Sequence, residues 1–291
     1  MANISIFTDS TSDLTNEWLL ENNVFSIPLT YIVGDEEFED EVSDEKKKEF
    51  YDSLRNKGVI AKTSAISTDR FIQAFAKELE KGNDVFYTGL SAKLSATFNN
   101  SVLAAEFLQE KYPERKIVVT NSLATTYVTA LLIEEAIKLR DAGKSVDEIK
   151  EAVDELTTNL SVWLSVDDLQ HLKRGGRISC ASAAIGSILN IKPILVLAED
   201  GTIAVHEKVK GNKKVLKYFF EQIAEKAVDP VNDVIYLLHT DAPELIEELK
   251  GKLEHELNAK NIKIGIIGRV IGAHVGPGGI AIVVKTNKRI Y

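Results

Sequence analysis

The single cysteine of the chain, Cys180, has no partner for an internal disulfide and cannot furnish a thiolate cluster for a metal. Prolines number only six among 291 residues, and no Pro-rich or low-complexity tract marks a linker. No apolar run approaches the ~20 residues that a bilayer-spanning helix needs. The opening Met1–Ser5 segment has neither the basic nor the apolar region of a signal peptide. Together these absences read as a cytoplasmic protein with no transmembrane segment. Positive charge is also scarce: 35 Lys and Arg stand against 44 Asp and Glu, a net charge of −9. That balance opposes broad contact with nucleic-acid phosphates or anionic membranes, so no nucleic-acid partner is expected and any anion site must be local.

Recognised catalytic patterns are missing as well. There is no Gly-x-x-x-x-Gly-Lys-Ser/Thr phosphate loop, no Gly-x-Gly-x-x-Gly after the first strand, no His-Glu-x-x-His and no Gly-x-Ser-x-Gly. His171, His206, His239 and His255 are scattered without metal-ligand spacing, and no cofactor is implied. Asp9 and Asp13 match no metal or phosphoryl pattern and read as turn and cap residues.

What is present is an ordinary globular composition, 44% hydrophobic and 27% charged, in a chain long enough for two domains. Short apolar runs alternate with amphipathic stretches: strands at Ile4–Thr8, Val24–Val33, Val85–Leu90 and Ile117–Thr120, with helices from about Thr15, over Asp44–Asn56, from Asp69, up to Tyr112 and up to Arg140. The acidic stretch Asp35–Glu45 reads as a solvated loop and helix start, and Ser145-Val-Asp-Glu148 as a capping box. This alternation specifies an α/β fold, with residues 1–159 forming a mostly parallel sheet covered by helices on both faces. Beyond Asn159 a second α/β domain, 160–291, has a mixed sheet. Its elements are a strand Leu160–Ser165, a two-residue hairpin turn at Asp200-Gly201, helices Lys213–Lys226 and Pro243–Asn258, and strands Val234–His239, Ile262–Ile271 and Ile280–Lys285.

Ligands of open α/β sheets bind beyond the carboxyl ends of the strands, so the polar loops there are the places to look: Thr8–Asp13, Lys62–Ser67, Ser91–Thr97 and Gly272–Gly279. Ser91–Thr97 lies between a strand and a helix, where free N–H groups suit a carboxylate or phosphate. Ser95 reads equally as an ordinary N-cap, and Thr63, Ser64 and Ser67 as turn hydroxyls. The run Gly268–Gly279 combines His274 with five glycines in twelve residues. It is either a plain glycine-rich loop or one that presents His274 rigidly to an anion. Lys173-Arg174-Gly175-Gly176-Arg177 sets three cations in five residues, fit for a phosphate or an acidic partner, or else a solvated turn.

Six motifs in order resemble the DegV family over nearly the whole chain: Thr8–Leu14, Lys62-Thr63-Ser64, Leu90–Ser95, Asp168–Ser179, Asn190–Leu195 and the His274 loop. The resemblance implies a non-catalytic bacterial protein that buries a long-chain fatty acid in its N-terminal domain. It places the carboxylate near the cleft that the C-terminal domain closes. It implies that Thr63 and Ser95 hold the carboxylate, that His274 reaches the same group, and that Arg174 and Arg177 face a phosphate or a fatty acid kinase catalytic subunit to which the acid is presented. The carboxylate's charge would favour protonated His274. Burying roughly a dozen methylenes at about 0.8 kcal/mol each would supply the affinity.

The chain departs from the family pattern at three places. Ala65-Ile66 stands where x-Pro is usual, Ala96 where Gly is usual, and Asn121 where Asp is usual. The lost proline predicts a less rigid loop, and Ala96 an added methyl beside the carboxylate. Phe71, Phe75, Phe98 and Leu103 read as core, or as a lining for the acyl chain. Two other function classes fit less of the sequence: a transferase or kinase-like enzyme using His274 as nucleophile or base, since dihydroxyacetone kinases resemble this fold class, and a regulatory module docking through its basic loop.

Overall fold

The computed structural model describes residues 3–178 and 190–291. Ser179, which ends the Asp168–Ser179 motif, and Cys180 lie outside the described residues. Two compact units are present, one built from Met1–Ser43 with Thr63–Thr157, the other from Asp44–Lys62 with Thr158–Tyr291. A single boundary at residue 159 thus misplaces Asp44–Lys62, which belongs with the second unit.

The first unit opens with strand β1 (Ile4–Asp9), a single 3₁₀ turn (Ser10–Ser12) and helix α1 (Asn16–Glu21), whose N-cap is Thr15. Strands β2 (Val24–Ile27), β3 (Thr30–Val33) and β4 (Glu36–Glu39) follow. The chain then passes through α2 (Asp44–Lys57) of the second unit and strand β5 (Ala61–Ser64). It completes the first unit with α3 (Thr68–Leu79), β6 (Asp84–Gly89), α4 (Thr97–Lys111), β7 (Ile117–Asn121), α5 (Tyr127–Asp141) and α6 (Val146–Thr157). The main sheet is all parallel in the order β2-β1-β6-β7. Consecutive residues of β1 and β6 are buried, which requires helices on both faces. On one face Phe7, Phe71, Phe75 and Tyr87 pack ring against ring at centroid distances of 5.0–6.1 Å. The expected capping box starts α6, with Ser145 N–H donating to Glu148 Oε2 (2.8 Å) and Glu148 N–H to Ser145 Oγ (3.3 Å).

Two expectations fail between Val24 and Glu45. Val24–Val33 is not one strand: β2 joins the parallel sheet and β3 a separate sheet of order β4-β3-β5. The break falls at Pro28-Leu29, because Pro28 has no N–H to donate and Leu29 N–H goes to Ser10 Oγ (3.1 Å) instead of a ladder. The acidic stretch is not all loop, since Glu36–Glu39 pairs antiparallel with β3 and Phe38 stacks on Tyr31 at 5.2 Å.

The second unit contains β8 (Leu160–Ser165), α7 (Gln170–Arg174), β9 (Ile191–Leu197), β10 (Ile203–Lys210), α8 (Asn212–Lys226), β11 (Ile235–His239), α9 (Pro243–Leu257), β12 (Ile262–Ile266), α10 (Arg269–Val275) and β13 (Ile280–Lys285). Its mixed sheet runs β10-β9-β8-β13-β11-β12, with β11 and β12 its parallel pair. Trp163, Phe219, Leu237, Ile246 and Ile282 lie in one fully buried core. The hairpin at Asp200-Gly201 forms, but over three residues. Ala198 N–H donates to Thr202 O and Gly201 N–H to Ala198 O, with Gly201 at φ 84° as the left-handed residue of a bulged turn.

The expected strand Ile262–Ile271 stops at Ile266, and Arg269–Val275 is a helix rather than the start of a glycine loop. Two side chains of α2 fix this change of direction: Lys47 Nζ donates to Ile266 O (2.9 Å) and Tyr51 Oη to Ile267 O (2.7 Å). Gly272 lies flush against the Tyr51 ring, where a Cβ would overlap the phenol oxygen. Gly272→Ala should therefore cost about 2–3 kcal/mol by overpacking, and Tyr51→Phe about 1 kcal/mol for one buried hydrogen bond. Urea unfolding of both variants measures this; a neutral Gly272→Ala would show that Tyr51 yields freely.

Candidate functional site

In the first unit the loops after β1, β6 and β7 are tied into a closed circuit. Asp9, fully buried, accepts from Thr11 N–H (2.9 Å) and Thr11 Oγ1 (2.5 Å) through one oxygen. The other oxygen accepts from Tyr87 Oη (2.8 Å) and Leu90 N–H (2.9 Å). Ser91 N–H donates to Ala124 O (2.8 Å), and Thr126 N–H returns to Thr11 O (2.7 Å). Asp9 thus caps the 3₁₀ turn and joins it to β6 and to the loop that follows β6 through one carboxylate. Burial, followed by the charge of Asp9, raises the pKa of the Tyr87 phenol well above its ordinary 10, so it stays a donor. Gly89 is obligatory here because a Cβ would strike both Tyr87 Oη and Asp9 Oδ2. Thr126 adopts φ 56°, ψ −136°, a conformation rarely taken by β-branched residues, held within this circuit.

Ser95 and the Thr63–Ser67 segment meet through a residue the sequence reading passed over. Thr97, fully buried in the first turn of α4, lies with its hydroxyl 2.9 Å from Ser95 Oγ and accepts from Ile66 N–H at 3.3 Å. Asn100 Nδ2 donates to Ile66 O (2.7 Å), so both backbone groups of Ile66 are held by α4. Thr63 and Ser64 end β5 rather than lying in a loop. Ser95 is not the N-cap: Ala96 takes that position, without a side-chain cap, and Ser95 Oγ accepts from Thr97 N–H at 3.2 Å. A Ser-x-Thr spacing at a strand-to-helix loop is the signal that would have found Thr97.

The three departures acquire physical explanations. Ile66 donates the N–H that a proline would lack, so a hydrogen bond to Thr97 replaces ring stiffness and the loop is held rather than loosened. Ala96 has right-handed dihedrals that need no glycine, and it is exposed. Asn121 Oδ1 accepts from Ala92 N–H (3.3 Å) and Leu123 N–H (3.0 Å), two bonds that a carboxylate oxygen would accept equally. Of the four apolar candidates, Phe71 and Phe75 are fully buried core and Phe98 is half-buried. Leu103 is 54% exposed and belongs to neither class.

His274, Arg174 and Arg177 belong to the second unit, where glycines let α7 and α10 interlock. Gly175 lies against His274 Nδ1, Gly276 against the His171 ring, and Gly278 against the Asp167 carboxylate. Thr240 staples the far side, accepting from Gly278 N–H through its carbonyl (2.5 Å) and from Gly279 N–H through its hydroxyl (2.7 Å). Asp167 pairs with Lys192 at 2.5 Å. Arg174 is exposed, with Nε on Gln170 O (3.3 Å), whereas Arg177 is half-buried and turns Nη1 to Gly175 O. Burial, then Arg177 and His171, push His274 down to about 4. Burial and Arg174 likewise lower His171. Among the described residues no group of His, Cys, Asp and Glu is arranged to hold a metal, and no helix is long and apolar enough to cross a membrane.

Known proteins match this chain from end to end. The family model described as an uncharacterised protein, DegV family, covers residues 3–287. A DegV domain-containing protein of Clostridium perfringens is 37% identical over 283 residues, 97% of each chain. A DegV lipid-binding protein from Thermotoga maritima superposes with a TM-score of 0.85 at 27% identity, covering 100% of both chains. DegV of Bacillus subtilis, a fatty acid binding protein, does so with a TM-score of 0.84 at 27% identity, covering 97% of this chain and 99% of that one. On its sequence and its fold, the chain belongs to the DegV family.

Proposed function

We propose that this protein is a non-catalytic, cytoplasmic carrier of a long-chain fatty acid, with Thr63 and Ser95 of the first unit holding the carboxylate. The observation that carries this reading is the junction at Thr97, which joins Ser95 and the Thr63–Ser67 segment at the start of α4. That helix is 15 residues long and has no side-chain cap, so N–H groups of its first turn suit a carboxylate. Two fold relatives above 25% identity, described as lipid- or fatty-acid-binding, support the same ligand class. Two hydroxyls and backbone amides hold a carboxylate without a metal, while burial of the tail supplies affinity at about 0.8 kcal/mol per methylene.

Organic extraction and mass spectrometry of the purified protein should return about one fatty acid per chain, and Thr63→Ala/Ser95→Ala protein purified in parallel should lose it. A wild type that carries no lipid and rejects added fatty acid would overturn the reading.

The family resemblance adds His274 as a further donor to the same carboxylate. In that role a bound anion must raise the pKa of His274 from about 4 toward or above the ordinary 6.5, so loading takes up protons near neutral pH. The sign follows from the depressed starting value: binding should tighten as pH falls below the loaded pKa, and level off near the free value of about 4. NMR titration of His274 in lipid-free and loaded protein checks this, and identical values in both would separate His274 from the head group.

The finer reading is that the acid is presented to a separate fatty acid kinase subunit through Arg174 and Arg177. Arg174→Glu protein should then keep its lipid and lose acyl phosphate formation when mixed with ATP and a bacterial kinase subunit. Undiminished phosphorylation would remove Arg174 from that contact.

A further inference from the structure

The Asp9 carboxylate lies buried inside the first unit, and the proposed function leaves it without a task. It is fully buried, and its two oxygens accept four hydrogen bonds, two apiece. A carboxylate has about four acceptor positions, so no lone pair remains for a cation, a substrate proton or a water. This saturation argues against Asp9 as an acid, a base or a metal ligand. What it does have is mechanical reach. Leu90 N–H hangs on Oδ2, Ser91 N–H on Ala124 O, and Ser91 O in turn accepts from Leu94 N–H (2.9 Å) and Ser95 N–H (3.2 Å). Two short steps therefore link Asp9 to the backbone of Ser95, and Gly89 lets the strand lie directly on the carboxylate.

We infer that Asp9 is the positioning residue of the head-group loop: its charge fixes Leu90 and Ser91, and through them sets where the Ser95 hydroxyl stands. The inference rests on the reading that Ser95 holds a carboxylate. Asparagine cannot replace Asp9 in either orientation. The hydroxyls of Tyr87 and Thr11 rotate to accept from an amide NH2, but the N–H of Leu90 or of Thr11 cannot, so one backbone donor is orphaned each time. A buried charge held by four donors inside a closed circuit of loops fixes geometry more tightly than neutral bonds do.

The test separates positioning from simple support of the fold by comparing two ligands with the same tail. Affinities for palmitic acid and for 1-hexadecanol are measured on delipidated wild type, Asp9→Asn and Tyr87→Phe. Asp9→Asn should weaken palmitic acid about tenfold, the scale of one lost hydrogen bond to a charged group, while hexadecanol changes by no more than about twofold. Tyr87→Phe leaves Leu90 N–H on Oδ2 and keeps the ring in its cluster. It should move the acid-to-alcohol ratio the same way by about two- to threefold, and it decides the matter if Asp9→Asn does not fold. Acid-to-alcohol ratios equal to wild type in the folded variants, whatever their loss of stability, would overturn the inference and leave Asp9 a structural residue. A wild type that binds the alcohol as tightly as the acid would instead overturn the carboxylate reading itself.

Discussion

Parallel pairing is the constraint on which the first unit depends. Strands that run side by side in one direction each need a crossover helix, so their carboxyl ends, and the loops that leave them, gather along one edge of the sheet. β1, β6 and β7 therefore deliver the Asp9, Ser91 and Ala124 loops to the same edge, and backbone hydrogen bonds between the loops are then short and direct. Neither the strained Thr126 nor the close approach at Gly89 would persist without that convergence, since each is held by its neighbours from another strand.

The second unit reaches rigidity by a different route. Its glycines are not hinges here but places where one backbone lies against a ring or a carboxylate: Gly175 on His274, Gly276 on His171, Gly278 on Asp167, Gly272 on Tyr51. Packing of this kind leaves His274 little solvent, and the neighbouring Arg177 and His171 oppose a further positive charge.

Most of the strand and helix order was legible because period-two and period-3.6 patterns are local, as were the capping box at Ser145 and the start of a helix near Thr15. What escaped was set by distant partners. Nothing near Arg269 announces a helix, because its start is fixed by Lys47 and Tyr51 on α2. β4 is acidic and exposed, and it pairs because Phe38 finds Tyr31. For the candidate site, Thr63 and Ser95 came from motif resemblance, whereas Thr97 and the reach of Asp9 depend on contacts that no window of sequence contains. Ile66 illustrates the gap best: in the sequence it is a missing proline, in the structure a donor that a proline could not be.

The passage of α2 into the second unit has a consequence for how the protein is made. Lys47 and Tyr51 take their carbonyl partners from residues 219 and 216 positions later. During synthesis α2 must therefore leave the ribosome and wait while the strands of the first unit, which need no later sequence, become available to pair. Contacts so distant along the chain slow folding. Until β12 and the residues after it emerge, the Lys47 ammonium and the Tyr51 phenol of α2 lack the carbonyls they bind in the fold, and the Tyr51 ring lacks the glycine it lies against.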